Sequence, residues 1–285
     1  MINAMTVDVE DYFHVAALSK VIHPDQWDTL EYRVERSTDR LLGIFSDAGI
    51  TATFFVLGWV AKKSPQLVRA IHAAGHEVAS HGMSHKLVYN QSEAEFREET
   101  QESKACLEDL IAGPVLGYRA STYSITSRSL WALDVLHELG FEYDSSIFPI
   151  RHDLYGIPDA PKRPGYVTTP RGHKIVEFPM CAAKLLGLDV PVSGGGYFRL
   201  LPYQVTQWGL RKLNNHEQRP FAFYLHPWEI DPGQPRIRAS LLSRFRHYTN
   251  LSVTEQRLRV LLREFKFSSM SAVLCELGLL APSAR

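Results

Sequence analysis

At 285 residues and 45% hydrophobic, the chain is long enough to bury a sizeable core, as one large domain or one domain with an appendage. Lys plus Arg equals Asp plus Glu at 31 each, which argues against broad electrostatic attraction to nucleic acid or to an anionic membrane. Cys106, Cys181 and Cys275 are odd in number and far apart, which argues against a disulfide framework or a Cys-based zinc site and fits a reducing compartment.

The chain reaches acids by Asp8 with no basic n-region or apolar h-region before them. Ile2 to Val9 is short, apolar and β-branched near its end, and reads as a buried strand. Ser37-Thr38-Asp39 is expected to cap a helix with Leu41, Leu42, Ile44 and Phe45 inward, stopped at Gly49. Thr51 to Leu57 is the next strand. Its surroundings form the most apolar run, Ala52 to Ala61, which is too short to cross a bilayer. A cytoplasmic protein without membrane insertion is the expectation.

Ser64-Pro65 opens a helix with Pro at its first position, and Gly75 closes it. Glu77-Val78-Ala79 is a brief strand. Ser92 to Glu95 is a capping box for a long charged helix that ends near Gly113. Val115 to Tyr118 is a strand leading into Arg119. Ser127 is expected to cap a helix through Leu139, after which Phe141-Glu142-Tyr143 leads to Asp144-Ser145-Ser146. This alternation predicts an α/β fold with a parallel β/α architecture.

The rhythm breaks between about 150 and 200, where Pro158, Pro161, Pro164 and Pro170 punctuate a long insertion. It contains Ile175 to Phe178 and ends in Gly194-Gly195-Gly196, either a flexible connector or a turn that hugs a phosphate or sugar. Pro202 to Leu213 reads as helix and Pro220 to Leu225 as a strand ending at His226. Two amphipathic helices, about Thr254 to Phe265 and Ser269 to Leu277, complete the chain. The expected organisation is a β/α unit that includes the insertion, read below from a family resemblance as a barrel over 1–230, and a helical extension over 231–285 packed on it.

Ser80-His81-Gly82-Met83-Ser84-His85 carries two histidines at i,i+4, a spacing that lets two imidazoles share one metal ion. An acidic cluster, Asp8-Val9-Glu10-Asp11, ends the first strand. Arg119 and His226 end later ones. Acids, His and Arg at the C-terminal ends of several strands are how a β/α barrel builds a catalytic mouth. Side chains two apart share a strand face. If the first strand runs extended through Glu10, then Asp8 and Glu10 face the mouth together and Asp11 points away. If it ends at Val9 and turns, Asp11 can swing in instead.

Taken in order, Thr6-Val7-Asp8-Val9-Glu10-Asp11, Ser80 to His85, Gly117-Tyr118-Arg119, Tyr143-Asp144-Ser145-Ser146 and Leu225-His226-Pro227 resemble the five motifs of the polysaccharide deacetylases. These form carbohydrate esterase family 4, the NodB-homology group, and the resemblance spans about residues 1 to 230. Asp-Val-Glu-Asp-Tyr-Phe and the Ser193 to Pro202 stretch look like the subgroup found with exopolysaccharide gene clusters. The resemblance implies a distorted, incomplete (β/α) barrel of about seven parallel strands and metal-dependent removal of an N-acetyl or related acyl group from an amino sugar. It implies a divalent metal, zinc first with cobalt, nickel or manganese as alternatives, on His81, His85 and a carboxylate from Glu10 or Asp11. Asp8 would be the base, Arg119 would orient it, His226 would be the acid and Asp144 would pair with His226. Thr122 or Tyr123 would hold the oxyanion through the backbone, and Trp228 and Gly195 would contact substrate.

Two departures from the family pattern stand out. The usual Asp-Asp pair is replaced by Asp8-Val9-Glu10-Asp11. The usual Arg-x-Pro-aromatic loop reads Arg119-Ala120-Ser121-Thr122-Tyr123, and loss of the proline is expected to free that loop. The expected partner is an amino-sugar glycan or its small-molecule precursor, with no nucleic acid, and the oligomeric state is left open. Two other readings stand beside the deacetylase: a C–N hydrolase of the same fold acting on a small or cyclic amide, and a catalytically weak sugar-binding protein of polysaccharide assembly.

Overall fold

Alternation along the first strand, β1 (Ile2–Val9), sorts the molecule into an interior and an outer layer. Ala4 joins an inner cluster with Phe55, Ala79, Tyr143, Val176, Ala222 and Tyr224. Met5, Val7 and Val9 face the other way, into a larger core shared with the surrounding helices. The computed structural model describes residues 1–185 and 187–281.

The further strands are β2 (Thr53–Val56), β3 (Glu77–Ser80), β4 (Gly117–Tyr118), β5 (Tyr143–Asp144), β6 (Gly165–Thr168), β7 (Lys174–Glu177), β8 (Ala182–Leu185), β9 (Leu188–Pro191), β10 (Ala222–Leu225) and β11 (Lys266–Ser268). The main sheet runs in the order β10-β1-β2-β3-β4-β5-β7-β6, with β11 also paired to β1. Its pairings are parallel except for the β6–β7 hairpin. Seven parallel strands from β10 to β7 therefore curve around the inner cluster without closing into a full ring, the parallel architecture that the alternation predicts and the incomplete barrel that the resemblance implies.

The helices are α1 (Val34–Ala48), α2 (Gly58–Lys63), α3 (Pro65–Ala73), α4 (Glu93–Ile111), α5 (Trp131–Glu138), α6 (Gly195–Leu200), α7 (Tyr203–Arg211), α8 (Leu241–Tyr248), α9 (Leu251–Glu264) and α10 (Met270–Glu276). Leu41, Ile44 and Phe45 of α1, Val68 and Ile71 of α3, Phe96 and Leu107 of α4, and Leu258 and Leu261 of α9 form the outer layer of the core. The box at Ser92 forms as expected, with its hydroxyl accepting from Glu95 N and the Glu95 carboxylate accepting from Ser92 N.

Three local expectations are corrected. Helix α1 begins at Val34, so Ser37 and Thr38 are buried inside it and cap nothing. Its N-terminal N–H groups at Arg33 and Val34 instead donate to Asp11 Oδ2, at 2.6 and 2.8 Å. The stretch taken as an insertion supplies β7, a member of the parallel sheet beside β5. Helix α8, absent from the sequence reading, precedes the two expected C-terminal helices, and β11 from the same extension pairs with β1.

The three glycines are no flexible connector. Gly194 adopts φ 123° and bridges to Tyr224, and a Cβ there would lie 1.9 Å from the Tyr224 carbonyl oxygen. At Gly195, with φ 54°, a Cβ would lie 2.3 Å from the Tyr224 phenol oxygen. Gly194→Ala is expected to destabilise the protein by about 1–3 kcal/mol, since a backbone contact cannot move aside like a side chain. Thermal or urea unfolding measures it, and an unchanged midpoint would contradict the packing argument.

Candidate active site

The C-terminal strand ends converge on one cavity of about 170 Å3 lined by Asp8, Glu10, His81, His85, Thr122, Tyr123, Tyr155, Arg199, Tyr224, His226, Trp228, Arg246 and His247. Strand β1 delivers Asp8, β3 delivers His81, and β10 delivers His226.

Strand β1 stops at Val9, where Glu10 N turns back to the Asp8 carbonyl at 3.0 Å. Glu10 nevertheless faces the cavity, with Oε2 2.6 Å from His85 Nε2. Asp11 is not in the cluster. Its carboxylate accepts from the N–H groups of Tyr12, Arg33 and Val34, a structural role at the start of α1.

Glu10, His81 and His85 each offer one ligand atom, and these atoms lie within 4.8 Å of one another. His81 Nδ1 donates to the Arg119 carbonyl at 2.8 Å, which leaves Nε2 with its lone pair. Burial lowers the His81 pKa to about 4, so the ring is neutral at pH 7. Burial alone would raise the Glu10 pKa. His85, His226 and His81 outweigh it and hold the carboxyl well below the usual range. Two neutral-capable imidazoles and one ionised carboxylate are a donor set suited to a divalent ion. Glu10 Oε2 is buried with no hydrogen-bond donor among the described residues apart from its contact with His85, which is how a ligand oxygen stands.

Beside this triad lies a buried ion pair. Arg119 Nη1 donates to Asp8 Oδ1 at 2.7 Å and to Thr6 Oγ1 at 2.8 Å. Its other nitrogens donate to Ser145, at the carbonyl and the hydroxyl, and the guanidinium lies 4.1 Å over the Phe55 ring. The side chain is therefore fixed on all sides.

His226 Nε2 stands 3.5 Å from Glu10 Oε1 and 3.9 Å from Asp8 Oδ2. Its Nδ1 faces Glu229 Oε2 at 3.0 Å, and Glu229 Oε1 in turn accepts from Arg199 Nε at 2.6 Å. Burial would lower the His226 pKa, but Glu10, Glu229 and Asp8 together raise it to about 9. The expected Asp144 partner is elsewhere: its carboxylate accepts from the Ser146 hydroxyl and N–H, at 2.6 and 3.1 Å. Burial raises the pKa of the Asp144 carboxyl, and burial together with the neighbouring Asp144 raises that of Glu177.

Sequence reasoning missed Glu229 and Arg199. A signal for Glu229 was present, because His226-Pro227-Trp228-Glu229 has the spacing of a capping box and forms one. No local pattern announces Arg199, which reaches Glu229 from α6 across 30 positions of sequence.

Trp228 lines the cavity and stacks with both His226 and His247, with ring centroids 5.3 and 4.4 Å away. Gly195 does not line it; it seats α6 against Tyr224, which does. The loop after Arg119 is not freed by the missing proline. Ala120 N donates to Ser146 Oγ, Ser124 Oγ donates to the Ser121 carbonyl, and Val88 N donates to Ser124 Oγ. Thr122 and Tyr123 are held there with φ of 55° and 52°, conformations that cost energy for residues other than glycine. The Tyr123 N–H is engaged by the Ala120 carbonyl, while its phenol oxygen is buried and unpartnered among the described residues.

An open parallel β/α barrel with a carboxylate–imidazole cluster at its C-terminal mouth defines the class of protein. Residues 25–143 match the polysaccharide deacetylase family profile, and residues 145–275 match a domain of unknown function, DUF3473. Over residues 25–143, somewhat less than half of its length, the chain is thus similar to the polysaccharide deacetylases. A chitooligosaccharide deacetylase of Rhizobium leguminosarum bv. trifolii is 36% identical over 110 residues, covering 34% of this chain and 51% of that protein. The chain thus spans about half the length of that relative. Among solved structures, one described as a polysaccharide deacetylase from Mycobacterium smegmatis aligns with a TM-score of 0.63 and 20% identity, covering 98% of this chain and 91% of that one. Puue allantoinase aligns with a TM-score of 0.62 and 14% identity, covering 99% and 91%. Both share the fold.

Proposed function

We propose that the protein is a metal-dependent hydrolase that removes an N-acetyl group from an amino sugar in polysaccharide or glycan biosynthesis. The observation that carries this reading is the meeting, in one cavity, of the Glu10–His81–His85 ligand set with the Asp8–Arg119 pair and His226. Glu10, His81 and His85 would hold the divalent ion, which supplies Lewis-acid activation of water and of the acyl carbonyl.

The chain's own residues account for the proton movements. Asp8, anchored through Oδ1 by Arg119, keeps Oδ2 toward the cavity and takes a proton from the attacking water. As the C–N bond breaks, the departing amine takes a proton from His226 Nε2. Glu229 on Nδ1 fixes the ring so that Nε2 points inward, and the surrounding carboxylates favour its protonated form. Acetate and a free amino sugar result, with one water consumed. A purely sugar-binding protein has no use for this acid–base set, and the exopolysaccharide role is proposed on the motif wording alone.

The C–N hydrolase reading for a small or cyclic amide keeps one supporting observation. Tyr155 and, from α8, Arg246 and His247 line the cavity beside the ligand set, so bulky side chains border the site on more than one side. Acetate release by the metal-loaded protein, assayed on chitooligosaccharides beside cyclic amides, tests both. Ring opening without acetate release would move the assignment to the second reading, and neither activity would sink both.

A further inference from the structure

The even overall charge hides an uneven distribution. From Pro232 to Thr254 the chain has Arg236, Arg238, Arg244 and Arg246 and no acidic residue. Among the described residues none of these four arginines has a carboxylate partner, in contrast to Arg36 or Arg259 nearby in sequence or space. Helix α8 lies in this stretch. It packs on the Ala16–Leu18 turn, buries His247 inward and contributes Arg246 and His247 to the cavity wall.

What α8 turns outward is apolar. Leu241, Leu242 and Phe245 are 82%, 58% and 58% exposed, an unusual cluster for a short surface helix. At about 100° per residue, these three centre on the side opposite buried His247, with Arg244 on one flank and Arg246 on the other. A further exposed apolar residue, Leu154, sits beside Tyr155, which shares the cavity rim with Arg246.

We infer that α8 is an interfacial element that docks the mouth of the cavity on an anionic phospholipid surface. An apolar stripe between arginines is the arrangement with which a helix lies in the plane of a bilayer: the apolar side chains enter the acyl boundary and the cations meet the headgroups. The same features fit other occupants less well. A second copy seated face to face on α8 would bring arginine rims together with no acid in the stretch to balance them. An acidic polysaccharide would use the arginines and leave the three large apolar side chains in water. No helix among the described residues is long and apolar enough to cross a membrane. The consequence of the contact for substrate, access to amino-sugar glycans held at a lipid surface, rests on the deacetylase reading. The contact itself does not.

Flotation of the full chain with phosphatidylcholine vesicles and with phosphatidylcholine–phosphatidylglycerol vesicles tests the inference without any turnover. The wild type is expected to float with the anionic vesicles, less so at high salt. Leu241→Ser/Leu242→Ser/Phe245→Ser is expected to remain unbound while keeping its melting temperature and its acetate release from a soluble oligosaccharide. Arg238→Gln/Arg244→Gln is expected to lose roughly fivefold in partition coefficient per charge removed. A wild type that fails to float, or that floats equally after the apolar substitutions, would overturn the inference. So would a wild-type dimer that the Phe245→Ser change dissociates.

Discussion

Replacing His226 by alanine is expected to leave the fold and the metal content intact while lowering turnover by about 10²–10⁴-fold, the usual cost of a lost acid–base group. The ligand set is complete without it, because the three candidate ligand atoms come from Glu10, His81 and His85. The ring is set against Asp8 and Glu10 on one edge and held on the other by Glu229, so its place at the site is specified twice. Glu229→Gln is the companion test. It keeps a hydrogen-bond acceptor for Nδ1 but removes one of the charges that favour protonation, so kcat is expected to fall with KM unchanged and the alkaline limb of the pH profile to move down. A His226→Ala enzyme within a few-fold of wild type on an unactivated amide would remove His226 from the mechanism.

The parts of this arrangement that were legible in the sequence are those in which one short segment dictates its own structure. The alternation from Ile2 to Val9, Pro65 after Ser64, and the box from Ser92 to Glu95 each carry their signal within a few residues, and each element forms where expected. The cavity residues were legible for a different reason. Parallel strands place their C-terminal ends on one side, so a polar residue following an apolar run belongs at the mouth.

What escaped was set by partners distant in sequence. The start of α1 is fixed by Asp11, more than 20 positions away, and so Ser37 and Thr38 looked like caps. The brevity of β4 and β5, two residues each, weakens the periodic signal around them. The proline-punctuated stretch hid β7, whose place beside β5 depends on pairing rather than on composition. Asp144 was assigned by order of motifs alone, and the buried pair it makes with Glu177 depends on the same β5–β7 register.

The sharpest test concerns the acidic cluster, where strand geometry left two answers open. Glu10→Gln is expected to weaken metal affinity by more than the roughly 10–100-fold typical of losing an outer-sphere partner, because it removes a ligand atom rather than a supporting hydrogen bond. His81→Ala and His85→Ala should do the same. Asp8→Asn should keep the metal and lose turnover, since Asp8 faces Arg119 and the cavity but does not share the ligand cluster. Asp11→Asn should do neither. Its oxygens are occupied by three backbone N–H groups, so the change is expected to cost about 1 kcal/mol of stability through weaker capping of α1 and to leave metal binding alone. The strand does end at Val9, the condition under which Asp11 was free to turn inward, yet the turn carries Glu10 to the histidines and Asp11 to the helix. Metal dissociation constants for Glu10→Gln and Asp11→Asn, measured beside their unfolding midpoints, decide between them: a weakened metal with Asp11→Asn and an unchanged one with Glu10→Gln would overturn the assignment.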